Sequence, residues 1–234
     1  MAAGSIVGDV VECKDVRIPI DPRIITPWVE KKLRRGRYET PETEAAPKFL
    51  SAGDRVMELG AGIGFFSTFI AKEIGVEAVH CVEANPRLSD FIRSVHALNG
   101  VETASVVSGV AISDAAEEPE SGFLDFHIAD PFFSSSLLPV RAAVEVCKTP
   151  TFRLSSAIRE HDPTALVLDI EGGEREIFEG TDLGGVTKVF LELHKRLIRP
   201  SGVKKVFDDL SAQNFAYDQS ISCGGMLLFR KVTG

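Results

Sequence analysis

Apolar segments alternate with segments of helical periodicity over most of the chain. The apolar segments are short and rich in valine, isoleucine, leucine and phenylalanine, as in strands buried on both faces of a sheet. They predict strands at residues 55–59, 79–83, 106–110, 165–170, 188–194, 215–218 and 226–230. The segments between them predict helices at 64–74, 86–99, 155–161, 173–178 and 202–212. This alternation indicates a mostly parallel sheet with helices on both faces.

The last two predicted strands have a different connection. Only a short turn rich in serine and glycine joins them, and such a turn is too short for the crossover that parallel strands need. The pair is therefore predicted to be an antiparallel hairpin. The predicted fold class is α/β and Rossmann-like: a mostly parallel seven-stranded sheet that ends in an antiparallel C-terminal hairpin.

A glycine loop follows the first predicted strand. Gly60, Gly62 and Gly64 precede the next helix, so the backbone can approach a ligand and the helix N-terminus offers free N–H groups. A dinucleotide loop would have its last glycine where this chain has Phe65, and the acid Glu58 would repel a pyrophosphate. The spacing favours a cofactor with a cationic end, such as S-adenosylmethionine (SAM). The alternative is a tight turn that binds no ligand.

An acid, Glu83, ends the second predicted strand at the distance from the glycine loop that is typical of nucleotide-binding folds. A carboxylate there can accept hydrogen bonds from both hydroxyls of a ribose. Pro86 suits the first position of the following helix, so the alternative is an acid that only stabilises a helix N-terminus. The neighbouring residues Ala61, Ala84 and Asn85 are predicted to complete this cofactor site.

Two further pairs of polar residues follow predicted core strands. Asp169 and Glu171 form a D-x-E pair, and Glu192 and His194 form an E-x-H pair. Residues at i and i+2 of a strand face the same way, and ligands bind at the carboxyl ends of the strands of open α/β sheets. The four side chains are therefore predicted to converge as a catalytic site. Helix capping by the acids, and a histidine that is simply satisfied at a strand end, are the alternatives.

Two mechanisms suit these four residues. His194 is predicted to be the general base, because the ordinary pKa of histidine, about 6.5, suits neutral pH. Asp169 is predicted to position the acceptor or the sulfonium of the cofactor. In the alternative mechanism Asp169, Glu171, Glu192 and His194 bind Mg²⁺ or Ca²⁺, and the metal lowers the pKa of the acceptor. The sequence favours the mechanism without a metal.

Composition and charge narrow the function further. The chain has 234 residues, of which 44% are hydrophobic, as expected of one domain with a full core. A formal net charge of −8 argues against a nucleic-acid partner, and the basic residues between 31 and 37 are interpreted as a solvated helix face. Four scattered cysteines and the lack of a signal-peptide pattern or long apolar run predict a cytoplasmic protein without membrane association. Nothing in the sequence predicts the oligomeric state.

These motifs resemble the FkbM family of SAM-dependent methyltransferases, which have the class I methyltransferase fold. The resemblance covers most of residues 36–194. It rests on G-R-Y-E at 36–39, E-L-G-A-G-I-G at 58–64, V-E-A-N-P at 82–86, A-I-S-D at 111–114, L-D-I-E-G-G-E at 168–174 and L-E-L-H at 191–194. The family more often has an aspartate and an asparagine where this chain has Glu58 and Ile63, and Phe-Glu-Pro at 82–84. The resemblance implies SAM as cofactor and hydroxyl groups of sugars or natural products among the acceptors.

The remaining predictions concern the walls of the site. The glycines are expected to contact the methionyl and ribose portions of SAM, Val110 and Ala111 the adenine, and Tyr38 and Glu42 the methionyl end. Residues 1–50 are predicted to be an extension that covers the cofactor pocket, with one helix at 27–35 and otherwise irregular chain. Residues 51–234 are predicted to form the methyltransferase domain.

The acceptor site is expected beside a long insertion at residues 117–151. A strand is predicted there at 123–128, and Phe133, Ser135 and Ser136 (with Phe132 and Ser134) are candidate acceptor contacts; an apolar lid is the alternative. The partner is predicted to be a small-molecule acceptor. Methylation of an amine, or a non-catalytic SAM-binding module, are the alternative functions.

Overall fold

The computed structural model describes residues 9–129, 135, 137 and 143–232, and these contain twelve strands in three sheets. The strands are β1 (Val10–Cys13), β2 (Val16–Pro19), β3 (Arg55–Leu59), β4 (Ala78–Glu83), β5 (Ala104–Ser108), β6 (Val110–Ile112), β7 (Phe123–Ala129), β8 (Ala143–Arg153), β9 (Ala165–Leu168), β10 (Lys188–Glu192), β11 (Phe215–Cys223) and β12 (Met226–Lys231).

The central sheet has seven strands in the order β11-β12-β10-β9-β3-β4-β5. The strands from β10 to β5 are parallel, whereas β12 is antiparallel to both β10 and β11. The predicted seven-stranded sheet and its antiparallel C-terminal hairpin are confirmed. Because parallel strands end at one edge, the residues after β3, β4, β9 and β10 lie near one another.

Six α-helices occur among the described residues, and none of them combines the length and apolar character that crossing a bilayer requires. They are α1 (Pro27–Arg34), α2 (Thr40–Phe49), α3 (Phe65–Phe69), α4 (Pro86–Leu98), α5 (Leu154–His161) and α6 (Lys195–Ala212). A π-helical turn, Ile70–Ile74, extends α3, so the two together occupy the helix predicted at 64–74.

Helices cover both faces of the sheet, as predicted. Alternate residues of each strand enter one of two apolar cores: Val56 packs with α2, α3 and α4, whereas Met57 packs with α5 and α6. This alternation is the ordinary consequence of strand geometry. Two buried layers of this kind hold the strand ends in fixed positions.

The insertion forms a small sheet of its own, in the order β6-β8-β7. The predicted end of the strand at 106–110 is wrong. The strand β5 ends at Ser108, and Val110 belongs to β6, where it pairs with Thr151 of β8. The chain turns at Gly109, where an added Cβ would lie 3.0 Å from the ring of Phe152. The strand β7 was predicted but β8 was not, because apolar and polar residues alternate only weakly along β8.

The N-terminal segment is more regular than predicted. Besides α1, residues 9–50 contain the hairpin of β1 and β2 and the helix α2. Lys14 and Asp15 form the hairpin turn with positive φ, which supplies the backbone twist of a tight hairpin. Apolar residues of this segment join the core of the central sheet.

Other predicted boundaries also differ. The helix predicted at 173–178 is only a 3₁₀ turn, Gly173–Arg175. The helix predicted at 202–212 begins earlier, at Lys195, but has a break at Arg199, whose φ is 61°. Arg199 precedes Pro200, and a residue before proline is disfavoured in the α conformation. The strands β9 and β10 end at Leu168 and Glu192, before the residues at which they were predicted to end.

An ion pair joins the start of β10 to the residue before β3, at the edge of the sheet opposite the glycine loop. Lys188 Nζ lies 2.6 and 2.7 Å from the two carboxylate oxygens of Asp54, which also accept hydrogen bonds from Ser51 and Thr164. Burial opposes ionisation of Asp54, but these hydrogen bonds outweigh it and lower its pKa. This contribution to stability is therefore present above the unfolded pKa and is lost as the pH falls through the lowered folded pKa.

Replacing Lys188 by methionine should lower the free energy of unfolding by about 3 kcal/mol, because it leaves a buried carboxylate without its cation. Urea denaturation at neutral pH measures the change. Lys204→Met is the matched control, since Lys204 pairs with Asp208 on the exposed face of α6, and it should change stability by less than about 1 kcal/mol. Equal effects of the two substitutions would contradict the prediction.

Candidate functional site

The glycine loop is held against the neighbouring strand ends. The backbone N–H groups of Gly60 and Ala61 donate to the carbonyl oxygen of Val82, over 2.9 and 3.2 Å. Gly60 has a φ of +87°, and a Cβ there would lie 1.8 Å from the carbonyl oxygen of Asp169. Only glycine fits this contact, which brings the loop directly onto the end of β9.

Glu83 ties the end of β4 to the same loop. Its Oε2 accepts a hydrogen bond of 2.8 Å from Gly62 N, and its Oε1 accepts one of 2.7 Å from Asn85 N. Burial raises the pKa of Glu83 to about 7, although these two N–H groups oppose the shift. The side chain of Asn85 accepts a hydrogen bond from Arg87 N and caps α4. Glu83 is thus fixed with its carboxylate at the loop.

A cavity of about 320 Å³ opens between the glycine loop, the small sheet and the segment after β9. The described residues that line it include six acids and no lysine, arginine or histidine. The six acids are Glu39, Glu83, Glu117, Asp169, Glu171 and Glu176. Apolar side chains such as Leu88 and Phe126 form much of the remaining wall. An apolar cavity with acids suits a ligand that combines a flat apolar group with positive charge.

The cavity collects many of the predicted residues but not all of them. The predicted residues that line it are Tyr38, Gly60, Gly62, Glu83, Ala84, Val110, Ala111, Ser135, Asp169 and Glu171. The predicted residues that are not part of its lining are Glu42, Glu58, Ala61, Gly64, Asn85, Glu192 and His194. Phe133 and Ser136, with Phe132 and Ser134, lie outside the described residues.

Glu58 lies behind the glycine loop. It is buried, and its Oε2 lies 3.4 Å from the Sγ of Cys81. Burial raises the pKa of Glu58 to about 8. Glu58 was predicted to belong to the cofactor site, but it is not among the described residues that line the cavity.

Ser135 is the predicted acceptor contact that can be described. It is buried, lines the cavity, and its Oγ accepts a hydrogen bond of 2.9 Å from Ala129 N at the end of β7. Its hydroxyl proton is still available to a ligand. Its role as an acceptor contact stays a prediction.

Asp169, Glu171 and His194 form a cluster at the floor of the cavity. His194 Nε2 lies 3.6 Å from Asp169 Oδ1 and 3.3 Å from Glu171 Oε2. Three of the four side chains predicted to converge come together, but Glu192 does not belong to the group, and the cause of the convergence differs from the one expected. Both strands have already ended, and a left-handed turn at Glu171, with φ of 45°, brings its side chain back toward His194.

Glu174 holds the imidazole from the other side. It is fully buried, and its Oε1 accepts hydrogen bonds from the backbone N of His194, 2.7 Å away, and from the ring Nδ1, 3.2 Å away. Its Oε2 accepts a 2.7 Å bond from Gly172 N. Sequence reasoning did not assign Glu174 a role, although it is the last acid of the L-D-I-E-G-G-E motif. Its three bonds fix the ring so that Nε2 faces Asp169 and Glu171.

The groups in this cluster change one another's pKa values. Burial, and then the charge of Glu192, raises the pKa of Asp169 to about 7. Burial would lower the pKa of His194, but the hydrogen bond to Glu174 and the charges of Glu171 and Asp169 raise it to about 9. The expectation that His194 keeps the ordinary pKa of histidine is therefore wrong, because it could not include these neighbours.

Two acids of the N-terminal segment face the same region. Glu39 Oε2 and Glu42 Oε2 are buried and have no hydrogen-bond partner among the described residues. Glu39 lines the cavity, whereas Glu42, which was predicted to do so, does not. Burial raises the pKa of both groups. The G-R-Y-E motif was the sequence signal for Glu39, which sequence reasoning did not select.

SAM fits these features. Its ammonium and sulfonium are positive charges that suit the acids of the cavity wall, among them Glu39, whose Oε2 is buried without a hydrogen-bond partner among the described residues. Gly60 leaves the space a Cβ would fill, Glu83 stands where a ribose binds in nucleotide-binding folds, and the apolar wall at Val110 and Ala111 suits an adenine.

Glu83→Gln should weaken SAM binding roughly 10- to 100-fold, because a hydrogen bond to a charged group contributes about 1.5–3 kcal/mol. Calorimetry measures the affinity, with the exposed Glu77→Gln as the control. Wild type should bind adenosine more tightly than 2′,3′-dideoxyadenosine, and Glu83→Gln should bind the two alike. If the variant still discriminates between them, Glu83 does not hold the ribose.

Comparisons with known proteins identify the family and the fold. The model of the family described as "Methyltransferase FkbM domain" matches residues 58–212. A search of curated proteins finds no match. Among solved structures, precorrin-6y C5,15-methyltransferase from Geobacter metallireducens GS-15 has a TM-score of 0.51 at 11% identity, over 92% of this chain and 94% of that chain. MtNAS in complex with MTA and tNA has a TM-score of 0.50 at 13% identity, over 90% and 67%.

At these identities the solved structures show the fold alone, which is that of Rossmann-like methyltransferases. The family match carries the function, because it includes the glycine loop, Glu83, Asp169 and His194. The chain therefore belongs to the FkbM methyltransferase family, and it is a SAM-dependent methyltransferase.

Proposed function

We propose that this enzyme transfers the methyl group of SAM to a hydroxyl group of a small molecule, such as a sugar or a natural product. The observation that carries the proposal is one cavity lined by Glu83 at one part and by Asp169 and Glu171, beside His194, at another. We assign the ribose of SAM to the Glu83 part. In this arrangement the glycine loop contacts the methionyl portion, and Tyr38 and Glu39 of residues 1–50 cover that end.

The proposed reaction is an in-line displacement. The acceptor oxygen forms a bond to the methyl carbon while the bond between this carbon and sulfur breaks. The electrons of the broken bond stay on sulfur, which gives S-adenosylhomocysteine. The hydroxyl proton leaves toward the cluster at the cavity floor, where the carboxylates of Asp169 and Glu171 are nearest to the acceptor. Alignment of the reacting atoms in a closed cavity supplies much of the rate.

The charge of the cavity limits the acceptor. Six lining acids, and no cation among the described lining residues, disfavour an acceptor that carries a phosphate or carboxylate. A neutral polyol or a molecule with an amino group suits this wall. Because the acids also favour an ammonium group, N-methylation of a small-molecule amine is the second candidate function.

An assay with SAM labelled in its methyl group tests the proposal. The purified chain is incubated with a panel of neutral hydroxyl compounds, amines and phosphorylated analogues of the same compounds. We expect label in an O-methyl ether, identified by mass spectrometry and NMR, and none in the phosphorylated analogues. Label found only on nitrogen would favour the second function, and preferential labelling of phosphorylated compounds would contradict the acceptor class.

A further inference from the structure

We propose that Asp169, Glu171 and His194 bind one divalent cation of the Mg²⁺ or Mn²⁺ class at the floor of the cavity, and that Glu174 positions the histidine for it. One ligand atom from each of the three residues can be chosen so that all lie within 4.8 Å of one another. The role given to the cation rests on the proposed function, because it would act on the acceptor hydroxyl.

The spacing of the ligand atoms matches an ion better than hydrogen bonds. His194 Nε2 lies 3.3 and 3.6 Å from the two carboxylate oxygens, whereas charge-assisted N–H···O bonds measure about 2.7–2.9 Å. Ligand atoms held about 2.1 Å from an octahedral ion are separated by about 3.0 Å when adjacent and about 4.2 Å when opposite. The two separations from His194 Nε2 lie between these values, as expected if an ion is shared between the imidazole and each carboxylate.

The histidine is oriented as a metal ligand would be. Its Nδ1 and its backbone N both bond to Glu174, which is fully buried and fixed further by Gly172 N. Metal-binding histidines usually have their second ring nitrogen bonded to a carboxylate or carbonyl in this way. Nε2 is thereby left facing the two carboxylates, and the ring cannot turn away without breaking a buried hydrogen bond.

Further acids among the described residues act on Asp169. Glu42 and Glu192 are close enough to Asp169 to interact with it electrostatically, in addition to Glu171. SAM supplies a single net positive charge at this end of the cavity. Carboxylates are the donors that Mg²⁺ and Mn²⁺ prefer, whereas imidazole is a donor for transition-metal ions, so this set suits Mn²⁺ better than Mg²⁺. Three protein ligands leave positions for water and a substrate oxygen.

Such an ion has a defined chemical role. Asp169 and Glu171 line the cavity, so the open coordination positions would face the acceptor. A hydroxyl oxygen bound there has a lower pKa. Its proton would leave toward the carboxylates of Asp169 and Glu171, as in the proposed function. The oxygen would attack the methyl carbon, and the carbon–sulfur bond would break to release S-adenosylhomocysteine.

Titration with Mn²⁺ alone tests the site without requiring turnover. The full chain is treated with EDTA, desalted, and titrated while the EPR signal of free Mn²⁺ is followed. We expect one Mn²⁺ per chain. Glu174→Gln should weaken binding by roughly 10- to 100-fold, and Asp169→Asn and His194→Ala should weaken it more. Asp90→Asn, on the exposed side of α4, is the control and should bind as wild type does.

Circular dichroism confirms that each variant is folded before it is titrated. Absence of Mn²⁺ binding by wild type, or equal binding by all variants, would overturn the proposal and leave an imidazolium between two carboxylates. Methyl transfer that continues in EDTA would also overturn it while the proposed function stands. If SAM does not bind, the proposed function fails, and the Mn²⁺ titration still decides whether the cation site exists.

Discussion

Replacing Gly60 by alanine should abolish SAM binding and destabilise the protein by about 3 kcal/mol beyond the cost of its left-handed backbone. The new Cβ would lie 1.8 Å from the carbonyl oxygen of Asp169 and 2.8 Å from its carbonyl carbon. These atoms follow β9 directly, and Asp169 N donates a hydrogen bond to the carbonyl oxygen of Leu59 at the end of β3. Because β9 is paired with both β3 and β10, they cannot move alone. The loop and the Asp169 end of the cavity must therefore separate. Urea denaturation and calorimetry with SAM measure the two effects.

Gly100→Ala is the matched control for this change. Gly100 also has a positive φ, +68°, but a Cβ there would meet no atom within 4 Å. Gly100→Ala should lower the free energy of unfolding only by the cost of a left-handed backbone, about 1–2 kcal/mol. It should bind SAM as wild type does. If Gly60→Ala is as stable as Gly100→Ala and binds SAM as wild type does, the close packing of the loop on Asp169 is not required.

Replacing His194 by alanine should lower the turnover of methyl transfer by at least about 100-fold while leaving SAM affinity nearly unchanged. The ring lies beside Asp169 and Glu171 at the cavity floor but does not line the part of the cavity assigned to SAM. The fold should persist, because the backbone N of residue 194 keeps its bond to Glu174. Single-turnover assays with labelled SAM measure the rate, and calorimetry measures the affinity.

His161→Ala is the control for this substitution. His161 ends α5 at the opposite edge of the sheet, where its ring stacks on His80. It should leave turnover unchanged. A loss of SAM affinity in His194→Ala as large as its loss of turnover would show that the imidazole serves the cofactor site and would contradict its proposed place beside the acceptor.

The parts of the fold and site that depend on local pattern could be predicted from the sequence. The strand before Gly60 and the strand that ends in Glu83 are continuous apolar runs with clear ends, and their parallel pairing brings the two residues together. The antiparallel hairpin followed from the length of one turn. Parallel strands must end at a common edge, so Asp169 and His194 could also be placed near each other.

What could not be predicted depends on residues distant in sequence. The raised pKa of His194 comes from three acids that surround it only in the folded chain. Glu174 could not be distinguished from an exposed acid, because its burial depends on the packing of the segment after β9. The return of Glu171 toward the histidine requires a positive φ that no residue type signals there. The hairpin of residues 10–19 was missed because two four-residue strands carry too little alternation.

Calorimetry with SAM and with NAD, on wild type and Glu83→Gln, tests most directly whether the cavity between the glycine loop and Glu83 binds SAM. We expect that one SAM binds per chain, that Glu83→Gln weakens this binding, and that NAD does not compete. Tight binding of NAD, or SAM binding that is unaffected by the loss of the Glu83 carboxylate, would contradict the assignment of this cavity to SAM.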